Sequence, residues 1–401
     1  MEYKLGEMVA CNPTVKLEKG EKYNLVDIDS IQVGTRYVKG KELQPFEGKS
    51  GCRFQNGDTV MARITPCLEN GKIAQIQCES EKGFGSTELL VFRGIKGKTD
   101  SDYVFYLMST DYIRKLSANS MSGASGRQRA DLSFIKNIKW DFPSLSVQQR
   151  IASILNNYDK LIQNYQKQIE DLQNLARELY KEWFVRFRFP GHEKASFENG
   201  IPAGWKYEYL QDIISFVRGV SYSSEEINCD DGINLINLKN IESYGGFRRD
   251  GLKKYNGKYK KDQLVCQGDL LMGLTEQTQD RSLVGSVALV PTLHEQSVIS
   301  ADIVKITSKI GKLFFYSMCK FGPYSRYFSL FANGTKVLHL RPTMLSKRKI
   351  LVPKMELVHK YDTIVDPILN KVDQLNLEID NLAKQKALLL PRLMSGKLEV
   401  K

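Results

Sequence analysis

From Ile151, alternate steps of four and three residues meet Ile151, Leu155, Tyr158, Ile162, Tyr165, Ile169, Leu172, Ala176, Leu179 and Trp183. All are apolar or aromatic, and mostly polar residues fill the positions between. A strand repeats every two residues, so a seam kept over more than four heptads demands a long helix. A helix over 147–189 is about 60 Å long at 1.5 Å per residue, far beyond an ordinary globular helix. Pro190-Gly191 stops it. Such a seam needs a partner of equal length, and adding 210 to each position supplies one. The residues are Tyr361, Val365, Ile368, Val372, Leu375, Ile379, Leu382, Lys386, Leu389 and Leu393. Lys386 alone is polar, and it is expected to mark where the seam loosens or meets solvent. Two long helices packed as an intramolecular, antiparallel coiled coil are the expectation.

The remainder of the chain repeats the same plan at a similar spacing. Short strands are expected at 60–64, 72–76 and 88–92, parted by turns at Asn56-Gly57-Asp58 and Asn70-Gly71. An apolar-faced helix is expected over 102–116, then a basic loop at 122–129. Ser146 and Gln149 suit a capping box at the start of the long helix. In the second half Gln267-Gly268-Asp269 matches Asn56-Gly57-Asp58, and residues 284–290 and 301–306 match 71–76 and 87–92. A helix over 312–331 and a basic loop at 333–336 follow, and Pro353 is Pro143 plus 210. The fold class is therefore mixed α/β, with two similar globular domains separated by the two long helices. The expected boundaries are 1–145, 146–190, 191–355 and 356–401. A period near 200 is too long for a solenoid.

With 42% hydrophobic and 26% charged residues, each domain can bury a core. A formal net charge of +12 favours a polyanionic partner, nucleic acid before an acidic membrane. The first residues lack the apolar core of a signal peptide, and no apolar run approaches a membrane span. A cytoplasmic protein with reduced thiols is expected. The seven cysteines and four histidines are scattered and show no zinc spacing, so no metal is assigned. No GxxxxGK[ST] loop occurs, and no cofactor is expected. Two basic domains on a rigid spacer suit two places along a pseudo-symmetric rod. Duplex DNA presents equivalent faces about every 34 Å.

These features together resemble the specificity subunit of a type I restriction-modification system. The segment Asn56-Gly57-Asp58-Thr59-Val60-Met61-Ala62-Arg63-Ile64-Thr65-Pro66 is similar to the family's target recognition domains. Pro143-Ser144-Leu145-Ser146-Val147-Gln148-Gln149-Arg150-Ile151 resembles its central helix start. Trp183-Phe184-Val185-Arg186-Phe187-Arg188-Phe189-Pro190-Gly191 resembles that helix's exit, and residues 389–398 the usual C-terminus. The order and duplication are more specific than any one motif. The start of the second helix departs from the pattern, because residues 353–360 lack the glutamine of the first. The resemblance implies a non-catalytic reader of bipartite, asymmetric double-stranded DNA, one half-site per domain. It also implies two modification (methyltransferase) subunits as partners, and restriction (translocase and nuclease) subunits joining them. Alternatives are a stand-alone DNA-binding scaffold or the recognition part of an adenine methyltransferase. Asn12-Pro13-Thr14 only echoes an adenine methyltransferase motif; it lacks the second proline and the aromatic that would hold a flipped base.

For base or phosphate contact the first domain offers Arg127, Gln128 and Arg129, with Arg36 and Arg63. Arginine can grip guanine and glutamine adenine, each through two hydrogen bonds. The second domain offers Lys336 and Arg341 with His339, and Gln277, Gln279 and Arg281 in a polar loop. A further basic cluster holds Arg248, Arg249, Lys253 and Lys254 beside Tyr255 and Lys258; it suits a phosphate-gripping hairpin or a soluble turn. The alternative for every such run is a solvated face. Phe184 and Phe187 lie off the seam and suit either core packing or a docking surface for a modification subunit.

Overall fold

The computed structural model describes residues 2–48, 50–123, 127–227 and 230–400. Two compact units divide the chain. The first comprises residues 1–164 with 379–401, and the second residues 165–378. The long helices Leu145–Tyr180 and Met355–Met394 each contribute to both.

In the first unit a five-stranded sheet runs in the order Val9–Cys11, Leu89–Gly94, Thr59–Ala62, Ile73–Ile76, Tyr37–Val38. Side chains alternate between its faces, as a pleated strand requires. Val60, Ala62, Leu89 and Val91 join a core with Val26, Val38 and Phe54. Met61, Leu90 and Phe92 face a second core containing Tyr103 and Leu107, to which the long helices add Ile151, Leu155, Leu393 and Met394. A four-stranded sheet, Leu43–Pro45, Lys22–Val26, Lys82–Gly85, Cys52–Gln55, completes the domain. The turn before Thr59–Ala62 is fixed by Asp58, whose carboxylate accepts from the Gln55 amide at 2.8 Å and grips Arg93 at 2.6 and 2.7 Å.

The second unit repeats the plan. Its first sheet has the order Ile214–Arg218, Ile303–Ser308, Leu270–Gly273, Val287–Leu289. Its second runs Lys253–Tyr255, Ile233–Ile236, Ser297–Ile299, Leu264–Val265. Asp269 accepts from the Cys266 amide at 3.0 Å, repeating the Asp58 turn.

Each expected globular-domain helix is in fact two. Ser101–Ser109 and Asp111–Asn119 part at Thr110, which is extended at ψ 144° and whose hydroxyl accepts from the Ile113 amide. Lys312–Lys320 and Tyr324–Ser329 part at Phe321-Gly322-Pro323, where proline supplies no N–H. Apolar periodicity runs unbroken across both gaps because each pair of helices buries one common face. The expected capping box of Ser146 and Gln149 is also absent. The helix begins at Leu145, so Ser146 lies inside it, its hydroxyl 3.1 Å from that of Ser144.

All ten seam positions in each half are buried or half-buried, Trp183 lying in the π-helical turn Lys181–Val185 that continues the first long helix. Within the first unit the helices run antiparallel: Ile151 and Leu155 cluster with Leu389 and Leu393, and Asp159 meets Lys386. Within the second, Tyr180 and Trp183 pack on Tyr361, with ring centroids 6.4 and 5.9 Å apart. Lys386 does not open the seam to solvent. Its Nζ lies 2.5 Å from Oδ1 of Asp159, whose side chain is 5% exposed.

Asp159 anchors a buried polar network. Its other oxygen accepts from the Tyr106 hydroxyl at 2.5 Å. That hydroxyl in turn accepts from Arg36 at 2.9 Å. Arg36 also donates to Gln75 Oε1 at 2.8 and 3.1 Å, to Asn156, and to Asp102 at 2.6 Å. Burial pushes the Tyr106 phenol far above its usual range, and Asp159 adds to this, so the group remains a donor. Burial opposes ionisation of Asp102, yet Arg36 and the Gln75 and Asn156 amides outweigh it and hold its carboxyl below the ordinary 3.8. A folded pKa below the unfolded one contributes stability above about pH 3.8, lost as pH falls through the folded value.

Lys386→Met strands a buried carboxylate and is expected to lower stability by about 3 kcal/mol, whereas Asp159→Leu/Lys386→Met recovers part of that loss. In a urea-unfolding double-mutant cycle the coupling should be about 1–3 kcal/mol; additive effects would exclude the pair as a unit.

Candidate nucleic-acid interface

Each domain brings together two loops distant in sequence. In the first, the turn after Thr59–Ala62 meets the basic loop. Ile64 and Arg129 form a β-bridge, as do Ser122 and Arg129. The Thr65 amide donates to the Gln128 carbonyl at 3.0 Å, and the Ala130 amide to the Arg63 carbonyl at 2.8 Å. This gathers Arg63, Arg127, Gln128 and Arg129 on one rim. Ala124, Ser125 and Gly126 of the same loop lie outside the described residues. Arg127 is exposed. Arg129 is exposed too, but its Nε lies 2.8 and 3.0 Å from the Glu88 carboxylate oxygens. The hydrogen bond from Arg129 holds the Glu88 carboxyl below its usual range. Arg63 is half-buried and donates to the Ala130 carbonyl at 3.2 Å, which spends part of its guanidinium on holding the loop.

The second domain pairs the equivalent loops. Thr275–Glu276 forms a short ladder with Leu338–His339. Gln279 donates to the Thr335 carbonyl at 3.2 Å, and Arg281 to the Ser329 carbonyl at 2.8 Å. Gln277, Lys336, His339 and Arg341 are exposed. His339 exchanges backbone hydrogen bonds with Asn333 at 2.9 and 3.0 Å, closing the hairpin, while Arg281 is half-buried.

Four expectations are corrected. Arg36 is 4% exposed and is the hub of the network beneath the first domain, where it cannot meet DNA. Arg249 is not on a free basic hairpin. It donates to the Thr292 carbonyl at 2.8 Å and to Asp373 on the second long helix, seating the domain on that helix. Its neighbours are likewise drawn into ion pairs: Lys254 with Glu295, and Arg248 3.7 Å from Asp250. Lys253 and Lys254 lie on a strand paired with Leu235 and Asn234. Phe184 is 8% exposed, its ring 4.7 Å from Phe314 and 5.0 Å from Tyr361. Phe187 is half-buried, edge-on to Trp205 at 5.3 Å. Phe184 is thus a packing residue, and Phe187 packs on Trp205 with part of its ring still exposed.

Among the described residues no group of three His, Cys, Asp or Glu side chains could hold a metal ion, and no helix is long and apolar enough to cross a membrane.

A duplicated mixed α/β domain, each copy carrying a paired-loop rim and seated on antiparallel long helices, defines a class of recognition protein. Residues 1–174 match the family model of the type I restriction modification DNA specificity domain. The chain is similar to the type I restriction enzyme MjaVIII specificity subunit of Methanocaldococcus jannaschii, 24% identical over 98% of this chain and 93% of the relative. It is also similar to the MjaIX specificity subunit of the same organism, 25% identical over 77% and 72%. The crystal structure of the S subunit of a type I restriction-modification system from M. genitalium shares the fold. Its TM-score is 0.58 at 14% identity, with 100% of this chain and 96% of that one covered. The first 174 residues therefore carry a match to the type I restriction modification DNA specificity domain, and the likeness to specificity subunits extends along nearly the whole chain.

In salt titrations of duplex DNA binding, Arg127→Ala and Arg341→Ala should each reduce the slope of log K against log salt by about 0.9. Glu88→Gln should release Arg129 and steepen it. Arg249→Ala should leave the slope unchanged and lower stability by about 3 kcal/mol. A slope change with Arg249→Ala would place that residue back on the DNA.

Proposed function

We propose that this chain is the DNA-reading, non-catalytic subunit of a type I restriction-modification enzyme. The first recognition domain, residues 1–145, reads one half of a bipartite, asymmetric duplex site, and the second, residues 191–355, reads the other. The observation that carries this reading is the repeated loop pair: one sheet plan, two rims, and different residues on each. Arg63, Arg127, Gln128 and Arg129 serve one half-site; Gln277, Arg281, Lys336 and Arg341 serve the other. Arginine and glutamine suit paired hydrogen bonds to guanine and adenine, and lysine suits phosphate. A rigid scaffold carrying variable loops is how one fold serves many targets.

Two modification subunits supply methyl transfer, and restriction subunits join to cleave DNA. The names of the relatives support this division of labour, because each is a specificity subunit of a type I restriction enzyme. The cellular compartment is the one that holds the chromosome, the cytoplasm of a bacterium or archaeon.

Replacing residues 1–142 with another recognition domain, in the complex with modification subunits, should change one half of the methylated site and leave the other intact. A change in both halves would exclude independent readers. Inserting one heptad in each long helix adds about 10 Å, or roughly three base pairs of spacer. Methylation at the original spacing would rule out the helices as the ruler.

A further inference from the structure

The loop that carries Gln277, Gln279 and Arg281 is built around a buried carboxylate. Glu276 is 1% exposed. Its Oε1 accepts from the Ser282 amide at 3.0 Å and the Ser282 hydroxyl at 3.2 Å, and the Thr278 hydroxyl lies 2.8 Å from it and 2.6 Å from Asp280 Oδ1. Its Oε2 accepts from the Leu283 and Val284 amides, each at 3.0 Å. Four donors converge on one side chain, three of them backbone amides on the far side of the loop, and the single Thr278 proton is shared between it and Asp280. A carboxylate only accepts, so it suits a nest of N–H and O–H groups that an amide cannot satisfy. Meanwhile its backbone pairs with Leu338, on the hairpin that carries Lys336 and Arg341. Glu276 therefore sits where both loops of the second rim are joined.

We propose that Glu276 is the positioning residue for second-half-site recognition: its carboxylate templates residues 277–283 so that Gln277, Gln279 and Arg281 are presented as one reading surface. This rests on the chain being the DNA-reading subunit. Among the described residues the first domain has no counterpart. In the repeat, Thr65 occupies the place of Glu276. There the turn is closed chiefly by backbone bonds, Leu68 to Ile64 at 3.1 Å and Asn70 to Pro66 at 3.0 Å, and its one carboxylate, Glu69, meets the Thr65 hydroxyl at 3.2 Å rather than a set of backbone amides. The device thus acts on one half-site only. Discrimination needs side chains held in one geometry, so loosening the loop should relax base choice more than it weakens phosphate contact.

The test uses the full chain assembled with its modification subunits and duplex pools randomised in one half-site at a time. Glu276→Gln keeps the shape but turns an NH2 group toward the Leu283 and Val284 amides, or toward the Ser282 and Thr278 donors. Selectivity in the second half-site should fall roughly tenfold, with near-cognate sequences now methylated, while the first half-site and the salt slope stay unchanged. An unchanged second half-site, or a uniform loss of methylation with no new sequences accepted, overturns the proposal. Hydrogen exchange in the unaltered chain gives a second measurement. The Ser282, Leu283 and Val284 amides should be protected; free exchange there overturns the proposal even if the variant fails to fold. If the unaltered complex selects no bipartite site at all, the DNA-reading role itself falls.

Discussion

Asp159 sits in the helix seam of the first unit at 5% side-chain exposure, and the geometry of that half follows from how its charge is met. A lone carboxylate buried there would be strongly destabilising. Lys386 from the second long helix and the hydroxyl of Tyr106 from the globular domain both reach it. Through Tyr106 the network continues to Arg36, Gln75 and Asp102, so helix pair and domain are tied by one set of polar contacts. Two cations, Arg36 and Lys386, stand against two anions, Asp102 and Asp159. Sliding the second helix by one heptad would bring Ile379 or Leu393 opposite Asp159. The pair therefore selects one register, the best-attested use of buried polar residues in helix seams.

In the repeat, the corresponding positions are Leu369 and Ala176, both apolar. The second unit seats its domain differently. Tyr180, Trp183 and Phe184 pack on Phe314, Tyr361 and Trp205, and two aspartates of the second long helix fix the domain's loops. Asp362 accepts from the Phe314 amide at 2.7 Å at the start of Lys312–Lys320, and Asp373 from the Thr292 amide at 2.9 Å. The repeated plan thus carries two kinds of seat, ionic and aromatic, while the Asp58 and Asp269 turns are alike. The rims have diverged as well, backbone-closed in one domain and carboxylate-templated in the other.

Features set by local physics were readable from the amino acids: the heptad seam, its partner 210 residues on, the Gly-Asp turns and the strands near 60–64, 72–76 and 88–92. The helix breaks at Thr110 and Pro323 were hidden because the apolar face continues through them. Arg36 was misread because residue type reveals charge but not burial; its partners lie 39 to 120 residues away. Lys386 was misread for the same reason, since its partner is 227 residues distant. Phe184 and Phe187 looked available because the strands and helix that cover them come later in the chain. Glu276 gave only a faint sign, an acidic residue opening a polar, Gln-rich loop beside an expected strand.

The proposed function has one chain carrying two unlike readers and leaving methyl transfer to its modification subunits. Mapping methylated adenines across the genome of a host carrying this chain with its modification subunits, and of the same host without it, tests this most directly. The expected result is a bipartite motif that depends on the chain, with two dissimilar halves and a constant gap. A continuous or palindromic motif, or methylation by the chain without its partners, would contradict it.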